Sequence, residues 1–481
     1  EISTGGLPAQ VGASGGSFIS VITKSGGNQF HGQAQTYSTA KGLNQMLFTN
    51  EELTSLGRSK PAFAKYDVDG SASLGGPIIK DRIWFFGTAD YRQNEYTLSN
   101  VPVTLEGTTY PVFTNPSKTW APFFKLTAQL NKDMRLFVMF NGSFGKSLYN
   151  PSYFQVLDST TQSKTKSMAV TADLNWMFGP NTYVDFRGGY NNLDWGLVSP
   201  SDARTNITKV DDYTGYIWGQ KTGEDYYTIR RGETVNARIT HFMDNVLGGN
   251  HEIGAGVEYL YSFDRLTVAR GNPLTMHYYD GNPYDYAAQG RDRATFGDGY
   301  IQLFNMGPNK GDSTKDLPGN RMSAYLQDSY VFKNRLTVNL GLRYDYYWGG
   351  FGGARSTGTD QSGLAYKVGE FVAETIGWNP YAADTWDSLP KTMQNQAISP
   401  RIGVSYDLFG NGKTALKVSW GRYYEAMPVM WFSNAQSNIQ ANYSFNWWDN
   451  NGNHLPDDPG IDAYYPTDDY WSFVEQDVAA L

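Results

Sequence analysis

The sequence predicts an all-β fold, a large antiparallel transmembrane β-barrel, and three observations carry that prediction. Apolar and polar residues alternate with period two through many segments. The joins between those segments are alternately short and long, and no run of about eighteen apolar residues could form a membrane helix. Glycine supplies 52 of the 481 residues and aromatic residues 15%, a bias towards turns and strands. A mean hydropathy of -0.49 fits such a wall, because one polar face offsets the apolar face that meets lipid.

Composition removes several function classes. With a net charge of -8 and no Lys/Arg run, the chain lacks the electrostatic footprint of a nucleic-acid binder. Zero cysteine excludes disulfide scaffolds, Cys-based zinc sites and thiol nucleophiles together. The five histidines, His31, His241, His251, His277 and His454, show neither HExxH nor HxH spacing, so a zinc hydrolase is not expected.

The opening segment is turn-rich: Gly5, Gly6, Gly12, Gly15 and Gly16 surround a short apolar strand, Phe18-Ile19-Ser20-Val21-Ile22. Strands follow. Leu136, Val138 and Phe140 share one face, with Arg135 and Asn141 on the other. Val170, Leu174 and Trp176 alternate with Thr171, Asp173 and Asn175, and after Gly179-Pro180-Asn181 the pattern resumes at Val184, Phe186 and Tyr190. Met322, Ala324, Leu326 and Tyr330 oppose Ser323, Tyr325, Gln327 and Ser329, and a Lys333-Asn334 turn leads into Leu336, Val338, Leu340, Leu342, Tyr344 and Tyr346. The intervening positions there are Thr337, Asn339, Gly341, Arg343 and Asp345. Ile402, Val404, Tyr406 and Leu408 then alternate with Arg401, Gly403, Ser405 and Asp407, and Gly410-Asn411-Gly412 turns the chain into Leu416, Val418 and Trp420 against Lys417 and Ser419. In all, roughly 13 strands have bilayer-spanning length.

A single strand of this kind would equally suit a soluble sandwich or propeller; the joins discriminate. Short ones at Lys80-Asp81, Asn131-Lys132, Gly179 to Asn181, Lys333-Asn334 and Phe409 to Gly412 alternate with long ones. The long joins run from Ala40 to Lys65, Tyr96 to Lys118, Gly196 to Gly223, Gly271 to Pro318 and Trp348 to Ala397. Turns on one rim and loops on the other are how outer-membrane barrels are built. Tyr344, Tyr346, Tyr347 and Trp348, near a strand end, fit an interfacial aromatic girdle.

The stretch Gly15-Gly16-Ser17-Phe18-Ile19-Ser20-Val21-Ile22-Thr23-Lys24-Ser25-Gly26 resembles the segment that closes the plug of TonB-dependent outer-membrane receptors, just before their first barrel strand. The Oar-like branch is most similar, on Asn28-Gln29-Phe30-His31-Gly32, on the run Ser73-Leu74-Gly75-Gly76-Pro77-Ile78-Ile79-Lys80-Asp81-Arg82-Ile83-Trp84-Phe85-Phe86-Gly87, and on Tyr325-Leu326-Gln327-Asp328. The resemblance implies a barrel of about 22 strands with a plug in its lumen, coupled to the periplasmic protein TonB and resident in the outer membrane of a Gram-negative-type bacterium. On that basis residues 1–31 are the C-terminal remnant of an N-terminal plug and residues 32–481 the N-terminal and middle part of the barrel with its extracellular loops. Both ends read as truncated, with the TonB-contacting box and the last strands outside the sequence.

Candidate sites follow. Arg343, Asp345, Arg401 and Lys417 fall on the polar face and are expected to meet the plug through ion pairs and hydrogen bonds, with a solvated pore wall as the alternative. Trp348, Trp378, Trp386, Trp431, Trp447 and Trp448, set among Asn, Asp and Gly, suit an extracellular peptide or oligosaccharide, though packing between loops or headgroup contact is the competing reading. Asp449, Asn451, Asn453 and Asp457 fall at positions 1, 3, 5 and 9 of a calcium loop. The fit is partial, because Gly452 sits at the fourth position and Gly460 where a bidentate Glu belongs, and an ordinary Asn/Gly/Asp turn competes. No other cofactor and no catalytic constellation is expected. The function implied is TonB-energised uptake of a ligand captured by the loops. A barrel-anchored adhesin or assembly protein is the alternative, and a secreted propeller glycoside hydrolase ranks behind both.

Overall fold

The structure, a computed structural model, describes residues 2–3, 7–12, 18–19, 22–43, 49–55, 63–97, 102–149, 151–152, 154–198, 207–219, 224–270, 274–279, 282–283, 299–306, 313–356, 370, 384–424, 440–448, 459–460 and 469–479. Thirteen strands form one continuous antiparallel meander: β1 (His31–Ala40), β2 (Phe63–Ile79), β3 (Ile83–Thr97), β4 (Thr114–Asn131), β5 (Met134–Tyr149), β6 (Thr161–Met177), β7 (Thr182–Val198), β8 (Glu224–Val246), β9 (Gly249–Arg270), β10 (Ser313–Phe332), β11 (Leu336–Phe351), β12 (Leu389–Asp407) and β13 (Ala415–Gly421). Each pairs with its sequence neighbours, and β1 and β13 are the two edges of this path.

Short turns gather on one rim and long connections on the other. Lys333 and Asn334 both have positive φ, 49° and 54°, the geometry of a two-residue hairpin turn whose twist matches the flanking strands. Asp407 accepts from the backbone N–H groups of Phe409, Gly410 and Gly412, holding the β12–β13 turn closed. One turn escapes sequence reasoning: Leu247-Gly248 joins β8 to β9 with φ of 53° and 80°. Leucine is a poor advertisement for a left-handed position, which β pairing on both sides imposes here.

The strands overshoot the membrane. Nine to eleven residues suffice to cross it, yet β8 has 23 and β9 has 22. The predicted long joins are therefore partly strand, with β10 beginning at Ser313 and β12 at Leu389. In these extensions both faces meet water, so apolar alternation fades while backbone pairing continues. Polar cross-strand pairs take over, such as Arg265 Nε to Asp316 Oδ1 at 2.7 Å.

The wall is built with its apolar face outward. Leu342 is 53% exposed and its neighbour Arg343 only 1%. The same alternation sets Met322 and Leu326 outside against buried Ser323, and Ile398 and Ile402 outside against buried Ser399 and Arg401. In water such a surface would be untenable; in hydrocarbon it is the favourable one. Aromatic residues bracket the band. Tyr346 stacks on Trp348 at 5.1 Å near the long-loop rim, and Trp176 meets Phe178 edge-on at 5.0 Å near the turn rim. About ten tilted residues separate these belts along a strand, roughly 25 Å of height.

A second sheet belongs to the long connections: Ile217–Trp218, Thr208–Asp211, Leu274–Tyr279, Gly299–Met306, Gln440–Trp448, Asp469–Ala479 and Pro459–Gly460, in that spatial order. It unites segments of the connections after β7 and β9 with three segments that follow β13.

Candidate functional site

Four neighbouring strands place charged side chains on one stretch of the inner wall. Glu258 on β9 faces Ser323 on β10, which faces Asp345 on β11, and Arg343 faces Ser399 beside Arg401 on β12. Register therefore gathers residues that sequence scatters over about 140 positions. Asp345 accepts from Arg343 Nε through both carboxylate oxygens at 3.0 Å and from Ser323 Oγ at 2.7 Å. Arg321 donates to Glu258. Arg401 has a different set of partners: backbone carbonyls and the ring of Tyr423, 4.6 Å from the guanidinium carbon.

Those carbonyls belong to the segment Leu7–Gly12. Arg401 Nη1 donates to Leu7 O at 3.3 Å and to Pro8 O, and Arg343 Nη1 reaches Ala9 O at 3.5 Å. Gln10 N donates to Gln327 Oε1 at 3.1 Å. Leu7 and Ala9 are buried. Gly341 makes the approach feasible, because a Cβ there would lie 2.8 Å from that of Ala9. A cavity of about 280 Å³ beside the contact is lined by Glu252, Gln327, Asn339 and Arg401, among others. Its lining is mixed, with Leu7, Pro8 and Leu340 beside these polar groups, so the segment is held by a few directed hydrogen bonds as well as by apolar contact.

Residues 22–30 carry the chain from the lumen to β1. Lys125 Nζ donates to Thr23 Oγ1 at 3.2 Å and lies 5.1 Å from the Phe137 ring centroid. Gly26 passes so close to β3 that a Cβ would lie 2.1 Å from Phe85 O. Asn28 then binds the β2–β3 turn, donating to Asp81 Oδ1 and accepting from Asp81 N at 3.0 Å and Trp84 Nε1 at 2.7 Å. The run from Ser73 to Gly87 owes part of its composition to this docking: Gly76 leaves room for the Phe30 ring, and Asp81 turns with φ of 62°.

The other expected residues fall elsewhere. Lys417, opposite Ser405 on the edge strand β13, is exposed, while Arg401 is buried against the opening segment. Trp348 lies on the outward face with Tyr346 and within 6.5 Å of the Tyr259 ring, a headgroup-level position. Trp386 ends the short strand paired with Ala354, and Trp447 and Trp448 lie on the connecting sheet opposite Trp471 and Tyr470. Trp378, Trp431 and the calcium-loop residues Asp449, Asn451, Asn453 and Asp457 lie outside the described residues. Among the described residues no group of three or more His, Asp or Glu side chains is placed to hold a metal.

Sequence reasoning passed over the centre of the long-loop rim. Glu106 and Gly107, with φ of 50° and 75°, form the tip of a hairpin between Val103–Leu105 and Thr108–Tyr110. The Glu106 carboxylate accepts from Lys209 Nζ at 2.7 Å to each oxygen, Tyr278 Oη at 2.6 Å and Trp218 Nε1 at 2.9 Å. Burial would raise its pKa, but donation from Lys209, Tyr278 and Trp218 outweighs that effect and holds it below the ordinary 4.5. Burial, reinforced by the Glu106 acceptor, pushes the Tyr278 phenol well above its usual range. The Glu-Gly pair between two β-prone triplets was the available local signal; the partners, over 100 residues away, had none.

An outward apolar belt, a charged inner wall holding an internal segment, and strands that alternate short turns with long connections define a plugged outer-membrane β-barrel. Residues 22–108 and 93–472 match the family described as outer membrane beta barrel domain, and the chain belongs to that family. The TonB-dependent transporter Oar of Myxococcus xanthus is 25% identical over 522 aligned positions, covering 89% of this chain and 44% of the relative. Among solved structures, the outer membrane transporter YddB of Escherichia coli shares the fold with a TM-score of 0.59 at 14% identity, over 93% of this chain and 52% of that one. The open form of the ferric-catecholate import receptor Fiu of E. coli K12 superposes with a TM-score of 0.54 at 9% identity, over 93% and 61%. The chain thus spans less than half of Oar and about half to three-fifths of these structures.

Proposed function

We propose that this chain is the plug end and part of the barrel of an importer that captures a ligand with its extracellular loops and passes it through the lumen when TonB draws the plug aside. Residues 1–31 are the plug end in this reading and 32–481 the barrel. The observation that carries it is the bond from Arg401 to the Leu7 and Pro8 carbonyls. A short segment held inside a wide barrel by a few hydrogen bonds and two small buried side chains, Leu7 and Ala9, can detach without unfolding the wall. The aromatic residues Trp386, Trp447 and Trp448 in the connections suit a peptide or oligosaccharide ligand.

The test uses the full-length protein in cells carrying Ala9→Cys; these 481 residues hold no cysteine, and the parent without the substitution gives the background labelling to subtract. Labelling by a membrane-impermeant maleimide is followed in medium containing casein peptides or dextran oligosaccharides, with and without an uncoupler. Labelling that rises with one of these and collapses with the proton gradient supports transport. Labelling indifferent to the gradient and to a TonB deletion would overturn it in favour of a barrel-anchored adhesin.

A further inference from the structure

The geometry points to a single cooperative unit: the described segments 103–110, 154–160, 207–219 and 274–279, from the connections after β3, β5, β7 and β9, are ordered or lost together, latched by the Glu106 carboxylate. This inference concerns how the loops move and stands whether or not the chain imports a ligand. Loops on a barrel rim are ordinarily independent, each free to sample its own conformations at the end of a rigid strand. Here four of them share a core. Leu105, Val156, Trp218, Met276 and Tyr278, contributed by all four connections, are buried, and Trp218 and Tyr278 pack edge-on at 4.7 Å.

The backbone is joined as well. Thr208–Asp211, between β7 and β8, pairs in parallel with Thr275–Tyr278, between β9 and β10. Gln155 bridges Ile217, and Val156 N and Ser159 Oγ both donate to Ile217 O, at 3.2 and 2.9 Å, tying in the connection after β5. The connection after β3 contributes Glu106, whose donors come from the connections after β7 and β9. Withdrawing Glu106 would strand a carboxylate, a lysine, an indole N–H and a phenol together, and withdrawing Lys209, Trp218 or Tyr278 would remove part of that set, so separate loss of one segment is disfavoured relative to concerted loss. His277, bonded to Asp212 at 3.0 Å, adds a further link at the edge.

Hydrogen exchange read by mass spectrometry on the full-length protein in lipid nanodiscs tests this. Glu106→Ala is expected to raise exchange at least tenfold in 155–160, 208–218 and 275–278 together, with β3 to β11 below the rim unchanged and heat-modifiable gel migration retained. Tyr278→Phe approaches from the opposite loop and should raise exchange at 103–110 and 208–218, so the inference stays testable if one variant fails to insert. Faster exchange confined to the mutated loop, or no change elsewhere, would overturn the single cooperative unit.

Discussion

Arg401 on β12 donates to the carbonyl of Leu7, 394 residues earlier in the chain, and through the same nitrogen to that of Pro8. A buried guanidinium that finds backbone dipoles instead of a carboxylate is held by its partner's position, not by its charge. Removing the partner on either side therefore affects the opening segment more than the wall.

Arg401→Ala should leave two carbonyls without their donor and cost about 2–3 kcal/mol of attachment for the Leu7–Gln10 segment. The maleimide labelling rate of Ala9→Cys is then expected to rise, without cells being energised. Arg401→Lys should recover only part, since an ammonium cannot present the guanidinium's planar fork.

Gly341→Val tests the same contact by volume. A Cβ alone would lie 2.8 Å from that of Ala9, and two further methyl groups have no space between wall and segment. The segment should lift, again read by labelling at Ala9→Cys, while the barrel keeps its heat-modifiable migration.

Lipid-face and lumen-face positions should respond oppositely to charge. Leu342→Arg places a guanidinium in hydrocarbon and is expected to cost about 2–4 kcal/mol in urea unfolding of the full-length protein from vesicles. Asn339→Arg, on the lumen face of the same strand, should cost far less.

The loop body should have an acid limit set by Glu106. Its folded pKa lies below the ordinary 4.5, so the stability it contributes is present above about 4.5 and is lost as pH falls through the folded value. Tyr278 works in the other direction: with its folded pKa raised above the ordinary 10.0, its contribution is full below that value and is lost only in strong alkali. Limited proteolysis of the loops is expected to be flat between about pH 5 and 9 and to accelerate below pH 4. Glu106→Gln should remove the acid dependence while leaving the Tyr278 limit. Lys209 is the charge facing Glu106, and Tyr110 and Asp158 lie nearby.

Much of the wall was legible because period two maps directly onto two faces. Leu342 and Arg343, or Ile402 and Arg401, were separable by parity alone, and the Lys333-Asn334 turn announced itself by composition. Parity could not tell Arg401 from Lys417, since both occupy the polar face; only Arg401 meets the opening segment, while Lys417 sits on the edge strand. Trp348 carried two readings, an aromatic at the interfacial girdle and a ligand contact, and the strand continues through it on the outward face beside Tyr346. Glu106 was invisible as a site because a Glu-Gly turn tip is normally solvated.

The sequence by itself determined the alternation of faces, the order of the meander and the turn rim, because these depend on residues within a few positions of one another. Tertiary structure alone decided that Arg401 and Arg343, and not Lys417, hold the opening segment, and which loops share a core. Those contacts join residues about 50 to 394 positions apart, and they exist only once strand register and the curvature of the wall have fixed what each inward or rim side chain can reach.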